Sequence, residues 1–110
     1  MVAAAVKDAR PQIVIHMAAQ PLVRRSYRQP VETFATNVMG TAHLFDALRG
    51  ADELQAILVV TTDKVYRNAG ERRAFKESDP LGGHDPYAES KAGTELVAVS
   101  FASSFFAEQS

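Results

Sequence analysis

The 110-residue chain contains no cysteine and no tryptophan. The absence of cysteine excludes disulfide bonds, thiolate metal sites and a cysteine nucleophile, and it is consistent with a reducing compartment. The chain also lacks an apolar run approaching the roughly 20 residues that a membrane-spanning helix needs. Its first residues, MVAAAVKDAR, carry charges early, which is typical of a helix and not of a signal peptide. We therefore expect a cytoplasmic protein that makes no use of a membrane.

The chain also lacks an excess of positive or negative charge. The chain has 12 basic and 13 acidic residues, giving a net charge of −1, so it offers no positive surface for nucleic acid, and we expect none as a partner. The three histidines, His16, His43 and His84, lack the spacing of metal ligands, and we expect no metal site. A hydrophobic content of 46% is ordinary for a small globular domain.

Helical and strand patterns alternate along the chain. The pattern predicts a helix over residues 2–9, a strand over 12–16 and a loop over 20–29. A helix from Pro30 to a stop at Gly50 and a second strand over 56–62 follow. After a polar segment over 67–84, Asp85 caps a last helix that begins at Pro86. The second strand is apolar throughout, as in a parallel sheet covered on both faces. This order predicts an α/β protein with a doubly wound parallel sheet, of which this chain holds two strands.

Polar residues follow both predicted strands. The first strand runs into HMAAQP and the second into TTDKVY. Because ligands of open α/β sheets bind at the carboxyl ends of the strands, Asp63 and Lys64 are predicted to lie where such a protein carries out its chemistry.

Tyr87 and Lys91 are four residues apart at the start of the last predicted helix. That spacing puts them on one face of the helix, with Cβ atoms roughly 5–6 Å apart. At an effective dielectric near 20, an ammonium about 5 Å away stabilises a phenolate by roughly 3 kcal/mol, which would let Tyr87 act as a base. The alternative is a packing tyrosine beside a surface lysine, because this spacing is common in helices.

Three segments together resemble the extended short-chain dehydrogenase/reductase family: HMAAQ after one strand, TTDKVY after the next and DPYAESK at the start of a helix. The resemblance implies a Rossmann-like fold, NAD as cofactor and a nucleotide sugar as substrate. It also implies that Thr62, Tyr87 and Lys91 form the catalytic set.

The same resemblance implies a set of cofactor-binding residues. The small side chains of Ala18 and Ala19 are expected to lie along the dinucleotide, and Asn37 in TNVMGT is expected to support the active site. Tyr87 and Lys91 complete the expected set.

The triplet Thr62-Asp63-Lys64 resembles the Thr-Asp-Glu triplet of the sugar-nucleotide 4,6-dehydratases in this family. The resemblance implies that Asp63 protonates the departing C6 hydroxyl. A lysine in water is almost entirely protonated at pH 7, so Lys64 either loses its proton through burial and acts as a base, or stays charged and stabilises an enolate. A third alternative is that Lys64 only pairs with Asp63.

Two further features carry weaker expectations. Arg24 and Arg25, in the predicted loop, are candidates for contacts with substrate oxygens, although adjacent arginines in a loop are as often solvated. Gly82 and Gly83 are expected to make a flexible approach to Tyr87.

The chain has no Gly-rich strand-to-helix turn for a pyrophosphate and no acidic residue placed after one. We therefore expect residues 1–110 to be a partial NAD(P)-binding domain from the middle of a longer enzyme, inactive alone. A homo-oligomer is one expectation for the full-length enzyme. One alternative is a non-catalytic α/β fragment or a module completed by another polypeptide. Another, within the fold, is a sugar-nucleotide epimerase or decarboxylase.

Overall fold

The computed structural model describes residues 2–70 and 72–106. The regular elements in these ranges are α1 (Val2–Ala9), β1 (Ile13–His16), α2 (Val23–Arg28), α3 (Pro30–Phe34), α4 (Gly40–Leu48), β2 (Ala56–Val59) and α5 (Pro86–Phe101). A π-helical turn, Ala35–Met39, joins α3 to α4, another, Ala102–Phe106, follows α5, and Asp63–Val65 form a 3₁₀ turn.

The two strands form a parallel sheet in which Ile13 lies opposite Ala56 and His16 opposite Val59. The backbone N–H of Val60 donates to the carbonyl of His16 at 3.0 Å, which continues the ladder past the end of β2. Because the strands are parallel, their carboxyl ends lie at the same edge of the sheet. The predicted α/β class is confirmed.

Helices cover the sheet less completely than the apolar sequence of its second strand predicts. The side chains of Val14 and Ile57 are half-buried, whereas those of Ile13, Ile15 and Leu58 are exposed. The expectation that both faces are covered is therefore wrong for the described residues, because their helices leave one face open.

Residues 20–29 are not the loop that the sequence predicts. They contain α2, in which the N–H of Ser26 donates to the carbonyl of Leu22 at 3.0 Å and that of Gln29 to Arg25 at 2.8 Å. Ser26 is completely buried, and its hydroxyl donates to the carbonyl of Val23. No glycine interrupts this segment, so one helical turn can form and dock through Ser26.

The helical segment 30–48 begins at Pro30, as predicted, and its π-helical turn contains the buried Asn37. Single π-helical turns occur often at functional sites. The last helix begins at Pro86, also as predicted, and the carboxylate Oδ1 of Asp85 accepts from the N–H of Ala88 at 2.9 Å. This cap fixes the direction in which the first turn of α5 leaves the preceding loop.

The buried apolar side chains form a small set: Phe45, Leu48, Val65, Ala88 and Ala92. More of the buried residues are polar than apolar: Gln20, Ser26, Thr33, Asn37, Thr41, Ser90, Lys91 and Thr94. The interior at this end of the molecule is therefore held by hydrogen bonds as much as by apolar burial. Within the described ranges, no helix has the length and apolar character needed to cross a membrane.

Candidate active site

The carboxyl edge of the sheet brings three of the predicted segments together: residues 17–20 after β1, residues 60–64 after β2, and the first turns of α5. Lys91 is the clearest link between them. Its side chain is 5% exposed, and its ammonium Nζ donates to the backbone carbonyl of Val60 at 3.2 Å. Burial lowers the pKa of Lys91. The ammonium therefore contacts the end of β2, which its spacing from Tyr87 alone does not predict.

Tyr87 is half-buried in the first turn of α5, and its backbone carbonyl accepts a hydrogen bond. The hydroxyl of Ser90 donates to the carbonyl of Tyr87 at 2.7 Å. That same hydroxyl accepts from the amide Nδ2 of Asn37 at 2.8 Å. Asn37, in turn, accepts from the N–H of Gln20 at 2.8 Å and donates to its carbonyl at 3.2 Å.

Asn37 thus connects the segment after β1 with the first turn of the helix that carries Tyr87. That Asn37 supports an active site stays a prediction. Sequence reasoning missed Ser90 and Gln20, although both lie inside the quoted segments DPYAESK and HMAAQ.

The backbone of Asn37 organises a second set of bonds. Its carbonyl accepts from the hydroxyls of Thr41 at 2.7 Å and Thr94 at 2.8 Å. Because Thr41 gives its only hydroxyl proton to that carbonyl, Nε2 of His16, 2.9 Å from the Thr41 oxygen, is the donor in their bond. His16 therefore carries its proton on Nε2 when neutral. Burial and, secondarily, the charge of Lys91 lower the pKa of His16, which favours this neutral form.

The Thr62-Asp63-Lys64 triplet forms a tight turn. The hydroxyl of Thr62 accepts from the N–H of Lys64 at 3.4 Å and donates to Oδ1 of Asp63 at 3.3 Å. The side chains of Asp63 and Lys64 are 90% and 60% exposed, and Nζ of Lys64 lies 3.7 Å from Oδ1 of Asp63. The ion pair between these two side chains is therefore present, and it places both charges in solvent.

Both charged side chains line an open groove of about 1100 Å³. One wall is made by Tyr66 and Phe75, whose rings stack with centroids 5.2 Å apart. Tyr66 also forms an antiparallel bridge with Leu81. Parts of the polar segment, residues 67–70, 73–75 and 82–84, thus line the groove.

Gly83 packs directly on the first turn of α5. A Cβ at this position would lie 2.4 Å from the carbonyl carbon of Ala88 and 2.4 Å from the nitrogen of Glu89. At Gly83, the expected flexible approach to Tyr87 is instead a close backbone contact, and glycine is needed because a larger residue has no space.

Arg24 and Arg25 are both exposed on α2 and line a different cleft, together with Leu22 and Arg28. The guanidinium of Arg25 donates to Glu32 at 2.7 Å and to Gln29 at 3.2 Å. The structure therefore does not bring these arginines into the groove beside Asp63.

Two small side chains follow β1, at the carboxyl edge of the sheet. Ala18 is exposed and Ala19 half-buried, so two methyl groups leave an open surface after β1. Lys91 donates one of its three ammonium protons to Val60, which leaves capacity for ribose hydroxyls. These residues fit the nicotinamide half of NAD. A Gly-rich turn for the pyrophosphate is not part of the sequence.

Fold and site together define the class of protein. Residues 1–108 match the sequence family described as GDP-mannose 4,6 dehydratase. The chain belongs to this family, one of the NAD-dependent sugar-nucleotide dehydratases and epimerases.

A relative of known name agrees with this class. The chain is 48% identical over 101 residues to CDP-glucose 4,6-dehydratase of Salmonella typhimurium, a match that covers 92% of this chain and 28% of that protein. The chain therefore spans little more than a quarter of the length of this relative.

Solved structures give the fold. UDP-glucose 4-epimerase from Brucella ovis in complex with NAD superposes with a TM-score of 0.83 at 25% identity, covering 94% of this chain and 31% of that one. MoeE5 in complex with UDP-glucose and NAD gives 0.80 at 30% identity, covering 92% and 32%. The predicted Rossmann-like fold is confirmed.

Proposed function

We propose that this chain is the catalytic segment of an NAD-dependent enzyme that converts CDP-glucose to CDP-4-keto-6-deoxyglucose. The observation that carries the proposal is the meeting of the Thr62-Asp63-Lys64 turn with the helix of Tyr87 and Lys91 at one sheet edge, beside an open groove. The 48% identity to the Salmonella enzyme supports CDP-glucose in particular. Sequence outside these 110 residues would supply the pyrophosphate turn and the rest of the substrate site.

NAD, when bound, supplies the oxidant for C4 of the sugar and, once reduced, the reductant for C6. Within this chain, Lys91 and the surface of Ala18 and Ala19 are the groups that would hold its nicotinamide half, with Asn37 supporting them. The bond from Lys91 to Val60 keeps the ammonium at the carboxyl edge of the sheet.

Tyr87 would take the proton of the C4 hydroxyl. Lys91 lies one turn further along the same helix. Oxidation at C4 then makes the neighbouring C5–H acidic, because the carbanion left by its loss is delocalised as an enolate onto the new carbonyl.

Asp63 would give a proton to the C6 hydroxyl as it leaves as water, while the C5 proton passes to water or to another group. Lys64 is exposed and forms an ion pair with the Asp63 carboxylate, 3.7 Å away. We therefore assign Lys64 the electrostatic role: it stabilises the enolate and is not the base.

An epimerase or decarboxylase would share Tyr87 and Lys91 and would not need Asp63. The test uses a hybrid enzyme in which this chain replaces the 101-residue segment that it matches in the Salmonella enzyme. Asp63→Asn should slow formation of the dehydrated product by a factor of about 100 or more and retain oxidation at C4, seen as absorbance of reduced cofactor. Asp52→Asn, at an exposed turn, is the matched control. Equal product formation by both variants would rule out the acid role.

The role of Lys64 is tested separately in the same hybrid. Arginine keeps the charge but cannot act as a base, so Lys64→Arg should retain much more activity than Lys64→Met. Equal loss in the two variants would instead identify Lys64 as the base.

The remaining alternative, a module without catalytic function, makes a different prediction. A hybrid that folds and retains NAD but leaves CDP-glucose unchanged would support it.

A further inference from the structure

The second residue that joins α5 to the end of β2 is Glu95. The hydroxyl of Thr61 donates to the carboxylate Oε1 of Glu95 at 2.6 Å, and both residues are half-buried. Glu95 lies one helical turn after Lys91, which binds the carbonyl of Val60. Two successive turns of α5 therefore hold two successive residues, Val60 and Thr61, at the carboxyl edge of the sheet.

The residue after Thr61 begins the turn that carries the proposed elimination chemistry. Asp63 and Lys64 are largely exposed, and Val65, at 1% exposure, is the residue that anchors the far end of this turn. The near end is anchored through Val60 and Thr61. Hydrogen bonds to a charged acceptor are stronger than neutral ones, so the bond to Glu95 is a firm point of attachment.

The two attachments are not equivalent. The ammonium of Lys91 is assigned to the cofactor and to the Tyr87 side chain as well as to the carbonyl of Val60. If the Lys91 side chain rotates toward the cofactor or Tyr87, its hydrogen bond to Val60 weakens. Among the described residues, the Glu95 carboxylate has no hydrogen-bond or ion-pair partner besides Thr61.

We infer that Glu95 is a positioning residue: through Thr61 it holds the Thr62-Asp63-Lys64 turn at a fixed place relative to the helix of Tyr87. The inference rests on the proposed function, because it concerns the elimination step of that reaction. Glu95 acts on Asp63 through the backbone and need not touch the substrate.

The kinetic test compares Glu95→Ala with Glu89→Ala in the hybrid enzyme. Glu89 is an exposed acidic residue on the same helix, so its removal controls for charge and helix propensity. Glu95→Ala should slow water elimination about tenfold, the effect of losing one good hydrogen bond, while C4 oxidation and KM change little. The oxidised sugar and reduced cofactor should then accumulate.

Conservative variants separate positioning from general damage. Glu95→Gln keeps an oxygen that can accept from Thr61 and should restore most of the elimination rate. Thr61→Val should reproduce the effect of Glu95→Ala, Thr61→Ser should not, and the double variant Thr61→Val with Glu95→Ala should be no worse than either alone.

A second readout does not depend on turnover. Amide hydrogen exchange in the hybrid should become faster at residues 60–66 in Glu95→Ala and in Thr61→Val, and should be unchanged in Glu89→Ala. The rest of α5 should stay protected.

Equal slowing of oxidation and elimination, or faster exchange spread along all of α5, would overturn the inference and leave Glu95 a stabilising residue only. A wild-type hybrid that forms no dehydrated product would overturn the proposed function instead. The exchange measurement would still decide whether Glu95 positions the turn.

Discussion

Asn37 and Ser90 are 53 positions apart in the sequence, and the side-chain amide of Asn37 donates to the hydroxyl of Ser90 at 2.8 Å. Both residues are essentially inaccessible to solvent. Asn37 also binds the backbone of Gln20, and Ser90 binds that of Tyr87. The Asn37–Ser90 pair therefore fixes the segment after β1, which would face the cofactor, relative to the first turn of α5, which carries the proposed base Tyr87.

Ser90→Ala should destabilise the protein. The variant removes the acceptor of a buried Asn37 N–H, and leaving such a donor unsatisfied costs about 1–3 kcal/mol. The measurement is the melting temperature of the hybrid enzyme, with Ser100→Ala, at an exposed position on the same helix, as the control. Equal melting temperatures in the two variants would show that the Asn37–Ser90 bond contributes nothing to stability.

Gly83→Ala should also destabilise the protein, for a steric reason. The new Cβ would lie 2.4 Å from backbone atoms of Ala88 and Glu89, so the loop or the first turn of α5 must move, at a cost of about 1–3 kcal/mol. Gly50→Ala is the control, because a Cβ there meets nothing within 4 Å. If alanine is tolerated equally well at both positions, the close packing of Gly83 is not essential.

Lys91→Met should change how stability depends on pH. Burial lowers the pKa of Lys91 below its ordinary value of 10.5 in the folded protein, so between the lowered value and 10.5 the unfolded chain binds more protons. Stability therefore rises with pH across that window as the cost of the buried charge is relieved. Lys91→Met should remove this rise.

The control for that experiment is Lys76→Met, at an exposed lysine, which should keep the alkaline rise. Free energies of unfolding measured as the pH is raised from neutral to about 10.5 give the comparison. Parallel curves for the two variants would show that Lys91 is not buried in its charged form.

Local signals in the sequence predicted much of this fold. The cap by Asp85 and the start of α5 at Pro86 were correct because a carboxylate and a proline act on the backbone beside them. The α/β alternation was correct for the same reason, since helical and strand periodicity are properties of short segments. The location of Asp63 at the carboxyl edge then followed from the parallel sheet.

Contacts between distant segments could not be predicted in this way. The spacing of Tyr87 and Lys91 gives their common face but not the carbonyl of Val60 as the acceptor of the ammonium. The bond of Thr61 to Glu95 joins residues 34 positions apart, and each residue alone resembles an ordinary polar side chain. The helix α2 was missed because its docking depends on Ser26, whose burial has no local sequence signal.

The central claim is that this chain carries the catalytic residues of a 4,6-dehydratase. The most direct measurement is the mass and NMR spectrum of the product formed from CDP-glucose by the hybrid enzyme in D₂O. The account predicts a sugar that has lost one water and carries deuterium at C5, because the C5 proton leaves during elimination and is replaced from solvent. A product of unchanged formula inverted at C4, or unaltered CDP-glucose, would contradict it.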